Sequence, residues 1–261
     1  MFDLGFIGCG NMGGALVKAA ARSGARIALY DIDEEKVNTL CASTGAMAVS
    51  LDFLMQESQY IVLGVKPYQI ADLCLTLKPL ARPGQVFVSM AAGIAVEKIE
   101  SALEDAAVIR IMPNTPCAVG EGLITYCVGK NCPQAATAHF LSLMENAGTF
   151  DEIDEHLIDA ASAVAGCGPA FAAMFMEALA DGGIQCGLPR AKALRYAQQM
   201  LIGTARLAME ENLHPGQLKD NVCSPGGSTI AGVAKLEEMG FRGAVMQAVC
   251  AADARNKEMG K

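Results

Sequence analysis

A chain of 261 residues has room for one large or two modest domains. Its 52% hydrophobic content, with 27 glycines, 9 Phe, 5 Tyr and no Trp, describes closely packed small side chains and not a disordered polymer. A formal charge of −8 argues against nucleic acid and against an anionic membrane surface, since both partners need a basic face. The 10 cysteines include no Cys-x-x-Cys, and His139, His156 and His214 lie far from one another in the chain. The expectation is therefore reduced thiols, no metal and a cytoplasmic protein, with no signal peptide before the strand-like run that ends at Ile7.

In chain order, the first half alternates apolar β-rich runs with helical patterns. Strands are predicted at Leu4–Ile7, Arg26–Tyr30, Tyr60–Val65, Val86–Met90 and Val108–Met112. Helices are predicted between them, at Met12–Ser23, Asp33–Cys41, Tyr68–Leu77 and Val96–Leu103. A strand at Leu123–Val128, a helix at Pro133–Asn146 and a strand at Gly148–Ile153 complete the pattern. Continuous apolar strands separated by helices imply a mostly parallel, doubly wound α/β sheet covered on both faces. After Asp154 only helices are predicted: His156–Ala165, Pro169–Cys186, Pro189–Glu211, Gly216–Val222, Thr229–Met239 and Arg242–Glu258. The division expected is thus a dinucleotide-binding domain over 1–153 and an all-helical substrate-binding and dimerisation domain over 154–261. Ala160–Ala180 is nearly all apolar, but Gly166, Gly168, Pro169 and Glu177 interrupt it and acids flank it. A helix buried on nearly all sides by protein fits that pattern better than a membrane span.

The glycine pattern Gly8-Cys9-Gly10-Asn11-Met12-Gly13 follows a strand and opens a helix. Gly8 suits a tight turn, Gly10 a close backbone approach by a pyrophosphate, and Gly13 close helix–strand packing. The N–H groups of the helix start suit the phosphates. Asp31 ends the second strand, 21 positions after Gly10, where an acid can bind an adenosine ribose diol. Two further segments fall at strand ends, where a cofactor crevice opens: Val65-Lys66-Pro67 and Ala91-Ala92-Gly93. Lys66 is placed to reach a phosphate or ribose oxygen, unless it is simply solvated. Asn114, between Pro113 and Pro116, is expected to face the nicotinamide. In the second half, Ser224-Pro225-Gly226-Gly227-Ser228-Thr229 precedes a helix and offers either a carboxylate-binding nest or an ordinary capped turn.

Together with Gly166-Cys167-Gly168-Pro169-Ala170-Phe171 and Met112-Pro113-Asn114-Thr115-Pro116, these motifs resemble the pyrroline-5-carboxylate reductase family from end to end. The resemblance implies hydride transfer from NAD(P)H to the imine of 1-pyrroline-5-carboxylate, giving L-proline in the last step of proline biosynthesis. It further implies homodimers through the helical domain, with ring-shaped higher oligomers in the family. By the same resemblance the Thr229 hydroxyl contacts the imine nitrogen, and Ser224 with the N–H groups of Gly226, Gly227 and Ser228 holds the substrate carboxylate. Gly168 and Pro169 then form the pocket wall.

There are departures, with Ala165 and Phe171 standing where the family usually has Ser and Tyr. The family habit is NADPH, yet Asp31, followed by Asp33 and Glu34 with no Arg in that loop, favours NADH. Two other functions share the same plan. A β-hydroxyacid dehydrogenase needs a Lys or His base, absent between Gly168 and Cys186. A non-catalytic NAD(P)-binding oligomer would have no use for an intact imine site.

Overall fold

The computed structural model describes residues 1–104 and 106–259; Asp105 and the last two residues of the expected helical domain, Gly260 and Lys261, lie outside the described residues. The first 152 residues build one eight-stranded sheet. Its elements are β1 (Phe2–Ile7), α1 (Asn11–Arg22), β2 (Ile27–Tyr30), α2 (Glu34–Thr44), β3 (Met47–Ala48), α3 (Leu51–Glu57), β4 (Ser58–Leu63) and α4 (Ile70–Leu77). They continue with β5 (Val86–Ser89), α5 (Val96–Ala102), β6 (Ala107–Met112), β7 (Gly122–Val128), α6 (Gln134–Leu143) and β8 (Gly148–Glu152).

The strand order is β3-β2-β1-β4-β5-β6-β7-β8; among the described residues only the β6–β7 pairing is antiparallel. The order reverses between β1 and β4, so the carboxyl ends of those strands flank the crevice where such sheets bind ligands. Alternate residues enter two separate cores. Tyr60 and Val62 of β4 join Phe6 and Leu29 on one face, while Ile61 and Leu63 join Ile7 and Phe87 on the other. Both faces exclude water, which is why these strands read as unbroken apolar runs. Each fully buried Leu, Ile or Phe contributes about 1.5–3 kcal/mol by leaving water.

Two short elements, β3 and α3, escape the sequence prediction. β3 has only two residues, and α3 has seven, too few to show a period. The one signal for α3 is Ser50, whose side chain caps it by accepting the Phe53 N–H at 3.3 Å.

From Glu155 the chain is helical. A single turn over Glu155–Leu157 leads into α7 (Ile158–Ala161), then a π-wound stretch over Ser162–Gly166, then α8 (Gly168–Gln185). After these come α9 (Arg190–Glu210), α10 (Pro215–Val222), α11 (Ser228–Glu238) and α12 (Phe241–Met259). Among the described residues two compact units result, 1–167 with 251–259, and 168–250. This differs from the division at 153/154 read from the sequence, because residues 155–167 pack on the sheet. Ile158 is fully buried in one sheet core, and Glu155 and Asp159 bind Arg110 of β6. The end of α12 joins the same unit through Asn256, which donates to the Asp159 carbonyl at 3.1 Å.

The second unit departs from expectation in another way. The helix expected to be buried on nearly all sides buries only Ala180 in α8, and Met174 is 70% exposed. The helical run Glu155–Gln185 is also long and apolar enough to cross a membrane by length and composition, with mean hydropathy 1.5. A single chain thus leaves the apolar surface of α8 uncovered.

Candidate active site

The glycine loop is built backbone against backbone. At φ +102°, Gly8 takes a conformation that a side chain rarely adopts, and a Cβ there would come within 2.5 Å of the Gly64 carbonyl oxygen. A Cβ on Gly13 would overlap the Gly8 carbonyl oxygen. Gly10 is different: a Cβ there would meet nothing within 4 Å, so the space above it is open. The first return bond of α1 runs from the Gly14 N–H to the Gly10 carbonyl at 2.7 Å. The N–H groups of Asn11, Met12 and Gly13 therefore have no intrahelical partner and suit an anion. An open cradle, a helix start and an acid at the next strand end fit a dinucleotide.

Asp31 has a second task that the sequence does not reveal. Its Oδ2 accepts the Cys9 N–H at 2.6 Å and its Oδ1 accepts the Asp33 N–H at 2.9 Å, so this carboxylate pins the glycine loop to the end of β2. Asp33 caps α2 through the Lys36 N–H and pairs with Lys36 Nζ at 2.7 Å. Hydrogen bonding within that pair holds the Asp33 carboxyl below its usual range and the Lys36 ammonium above its own. Burial, then the Asp31 charge, pushes the Cys9 thiol up to about 12, so it stays neutral and unreactive. A cavity of about 530 Å³ borders this loop, and one of about 440 Å³ lies beside Asp31. The first touches Gly10, Asn11, Lys18 and Lys36; the second touches Asp31, Asn38 and Ser50.

The other strand-end segments are equally well defined. The Lys66 N–H donates to Gln69 Oε1 at 3.0 Å and the Gln69 N–H returns to the Lys66 carbonyl at 2.9 Å, closing a single turn with Val65 before it and Pro67 at its start. The Lys66 side chain stays exposed. After β5, Ala91 is buried with its N–H on Ser89 Oγ at 3.3 Å, and Ala92 and Gly93 are half-buried. The Asn114 side chain, expected to face the nicotinamide, makes protein contacts. Nδ2 donates to the Ala165 carbonyl at 3.0 Å and Oδ1 accepts the Leu123 N–H at 3.0 Å.

In the second unit, Ser224–Gly227 forms a turn closed by the Gly227 N–H on the Ser224 carbonyl at 3.0 Å. Gly226 sits at φ +68°, which this turn requires after Pro225. A Cβ on Gly227 would overlap Ser224 Oγ, so the hydroxyl lies directly over that glycine. Gly227 thus gives its N–H to the turn. The helix begins at Ser228, and its first return bond is from the Ala231 N–H to the Gly227 carbonyl at 3.3 Å. That leaves the N–H groups of Ser228, Thr229 and Ile230 without intrahelical partners. No side chain caps α11, which disfavours the ordinary capped turn. Gly168 and Pro169 open α8 in the same unit.

Sequence reasoning misses Arg110. It lies within apolar β6 at 3% exposure, pairs with Glu155 Oε1 and Asp159 Oδ1 at 3.1 Å each, and so fixes the chain entering the helices. Glu155 Oε1 also accepts the Val96 N–H at 2.8 Å. An arginine inside the run Val108–Met112 was the available signal, since buried charges are paired.

The family model described as pyrroline-5-carboxylate reductase dimerisation matches residues 155–259, and one described as NADP oxidoreductase, coenzyme F420-dependent, matches residues 3–93. The pyrroline-5-carboxylate reductase of Pisum sativum is 38% identical over 262 residues, covering 99% of this chain and 96% of its own. The chain belongs to the pyrroline-5-carboxylate reductase family. That of Synechocystis sp. is 44% identical over 204 residues, 78% of this chain and 76% of its own. The crystal structure of Plasmodium falciparum pyrroline carboxylate reductase with NADP bound is 32% identical, with TM-score 0.91 over 100% of this chain and 98% of that one. The model matched to 155–259 covers the helices whose apolar surface one chain leaves open.

Proposed function

We propose that this protein reduces the imine of 1-pyrroline-5-carboxylate to L-proline with NAD(P)H. Family membership along 99% of the chain carries the reading. A bound nicotinamide dinucleotide supplies the hydride, and the Gly8–Gly13 loop, the start of α1 and Asp31 are the groups that hold it. The Val65–Pro67 and Ala91–Gly93 segments border the same crevice.

The substrate needs little acid catalysis, because a protonated imine carbon is already electrophilic; positioning supplies most of the rate. The Thr229 hydroxyl hydrogen-bonds the imine nitrogen. Ser224 Oγ and the free N–H groups at the start of α11 bind the carboxylate, with the positive end of the helix dipole behind them. Gly168 and Pro169 wall the pocket. The dehydrogenase alternative lacks its base, since α8 carries no Lys or His.

Asp31 faces the ribose, and Lys36 is tied to Asp33, so NADH serves at least as well as NADPH. The protein works as a homodimer through its helical unit, which covers α8 and α9. Formation of proline from synthetic imine, followed with each cofactor, tests the reading; no turnover with either would overturn it.

A further inference from the structure

The π-wound stretch Ser162–Gly166 has a cause in the sequence. In a regular helix the Ala165 carbonyl would accept the N–H of residue 169, but that residue is Pro169 and has no N–H to give. The winding loosens there: the Cys167 N–H reaches back five residues to the Ser162 carbonyl at 2.9 Å. The half-buried Ala165 carbonyl then needs another donor, and Asn114 Nδ2 stands 3.0 Å from it. The same amide accepts the Leu123 N–H at the start of β7, so one 9%-exposed side chain joins the exit of β6, β7 and the π turn.

We infer that Asn114 is a positioning residue: its amide supplies the donor that Pro169 denies to the Ala165 carbonyl, and so fixes the turn that leads into the substrate-pocket wall. The inference rests on the reading of Gly168 and Pro169 as that wall. It assigns Asn114 to the substrate side of the reaction, acting through the backbone, and not to the cofactor.

The test uses the full-length enzyme, with NADH affinity measured by fluorescence beside steady-state rates on the synthetic imine. In Asn114→Ala the imine KM should rise about tenfold, while the NADH Kd stays within about twofold. Asn114→Asp keeps the acceptor for Leu123 but replaces the donor facing Ala165, and should show the same rise with a native circular dichroism spectrum. It carries the comparison if the alanine variant does not fold. Pro169→Ala returns an N–H to position 169, so the penalty of Asn114→Ala should shrink at least about threefold in that background. Additive penalties would overturn the inference, as would a rise in NADH Kd with the imine KM unchanged. A wild-type enzyme inactive on the imine would instead defeat the functional reading. The coupling of Asn114 to Pro169 would then be read from the thermal midpoints of the four proteins.

Discussion

Replacing Asp31 with alanine should shift cofactor use toward NADPH and loosen the loop at the same time. A 2′-phosphate charge about 5 Å from the carboxylate, at an effective dielectric of about 20, is repelled by roughly 3 kcal/mol per unit charge. Screening over a Debye length of about 8 Å leaves roughly half of this, worth about 20-fold in favour of NADPH once the carboxylate is gone. NADH loses a charge-assisted hydrogen bond to its ribose, worth about 1.5–3 kcal/mol, or at least about tenfold. The ratio of kcat/KM for NADPH to that for NADH should therefore rise by at least about 100-fold in Asp31→Ala. Stability should fall too, because the N–H groups of Cys9 and Asp33 lose their acceptor. A loss of about 1–3 kcal/mol corresponds to a Tm lower by roughly 2–10 °C. The assay is steady-state kinetics with each cofactor at fixed imine, alongside thermal unfolding. A change in the ratio below about threefold would refute the electrostatic argument. A wild-type enzyme with a tenfold or larger advantage for NADPH would refute the preference itself.

Three further outcomes are expected. Thr229→Ala should lower kcat/KM for the imine by about 10- to 100-fold with NADH affinity unchanged, and wild-type turnover would remove Thr229 from the site. Light scattering at micromolar concentration should find a dimer or a larger assembly, because one chain leaves Met174 at 70% and Met246 at 61% exposure; a folded, active species near 27.2 kDa would sink this. Alkaline pH should destabilise the fold. Burial pushes the Cys9 and Cys127 thiols and the Tyr60 hydroxyl up to about 12, while the unfolded chain ionises them from about pH 9 for the thiols and about pH 10 for the tyrosine. The unfolded state thus binds fewer protons above pH 9. Stability is complete below that pH and falls by about 1.4 kcal/mol per unit and per ionising group up to pH 12. A Tm that stays constant from pH 9 to 11 would contradict the burial of these groups.

Much of the first unit was legible because its signals are local. Continuous apolar strands, a glycine turn and an acid at the next strand end depend on neighbours within a few residues, so the Gly8–Gly13 loop and Asp31 could be placed directly. The start of α11 was legible for the same reason, through Pro225, Gly226 and Gly227. Boundaries shifted where a short turn replaced a regular helix, as at Pro67–Gln69 and Glu155–Leu157. β3 and α3 were missed because an element of two or seven residues has no period to detect.

The succession of elements, the nucleotide loop and the family are all readable from the chain's residues alone. These are encoded in residue type and spacing, which survive without knowledge of what lies across the fold. Where polar groups find their partners depends on the folded chain. Arg110 meets Glu155 and Asp159 from 45 and 49 residues away, and the Asn114 amide meets a carbonyl 51 residues away. The Gly227 N–H, although local, closes its own turn. A buried donor takes whichever acceptor the packed chain brings within about 3 Å. That choice belongs to the assembled sheet and helices, because a side chain's neighbours in space are set by packing and not by its position along the chain.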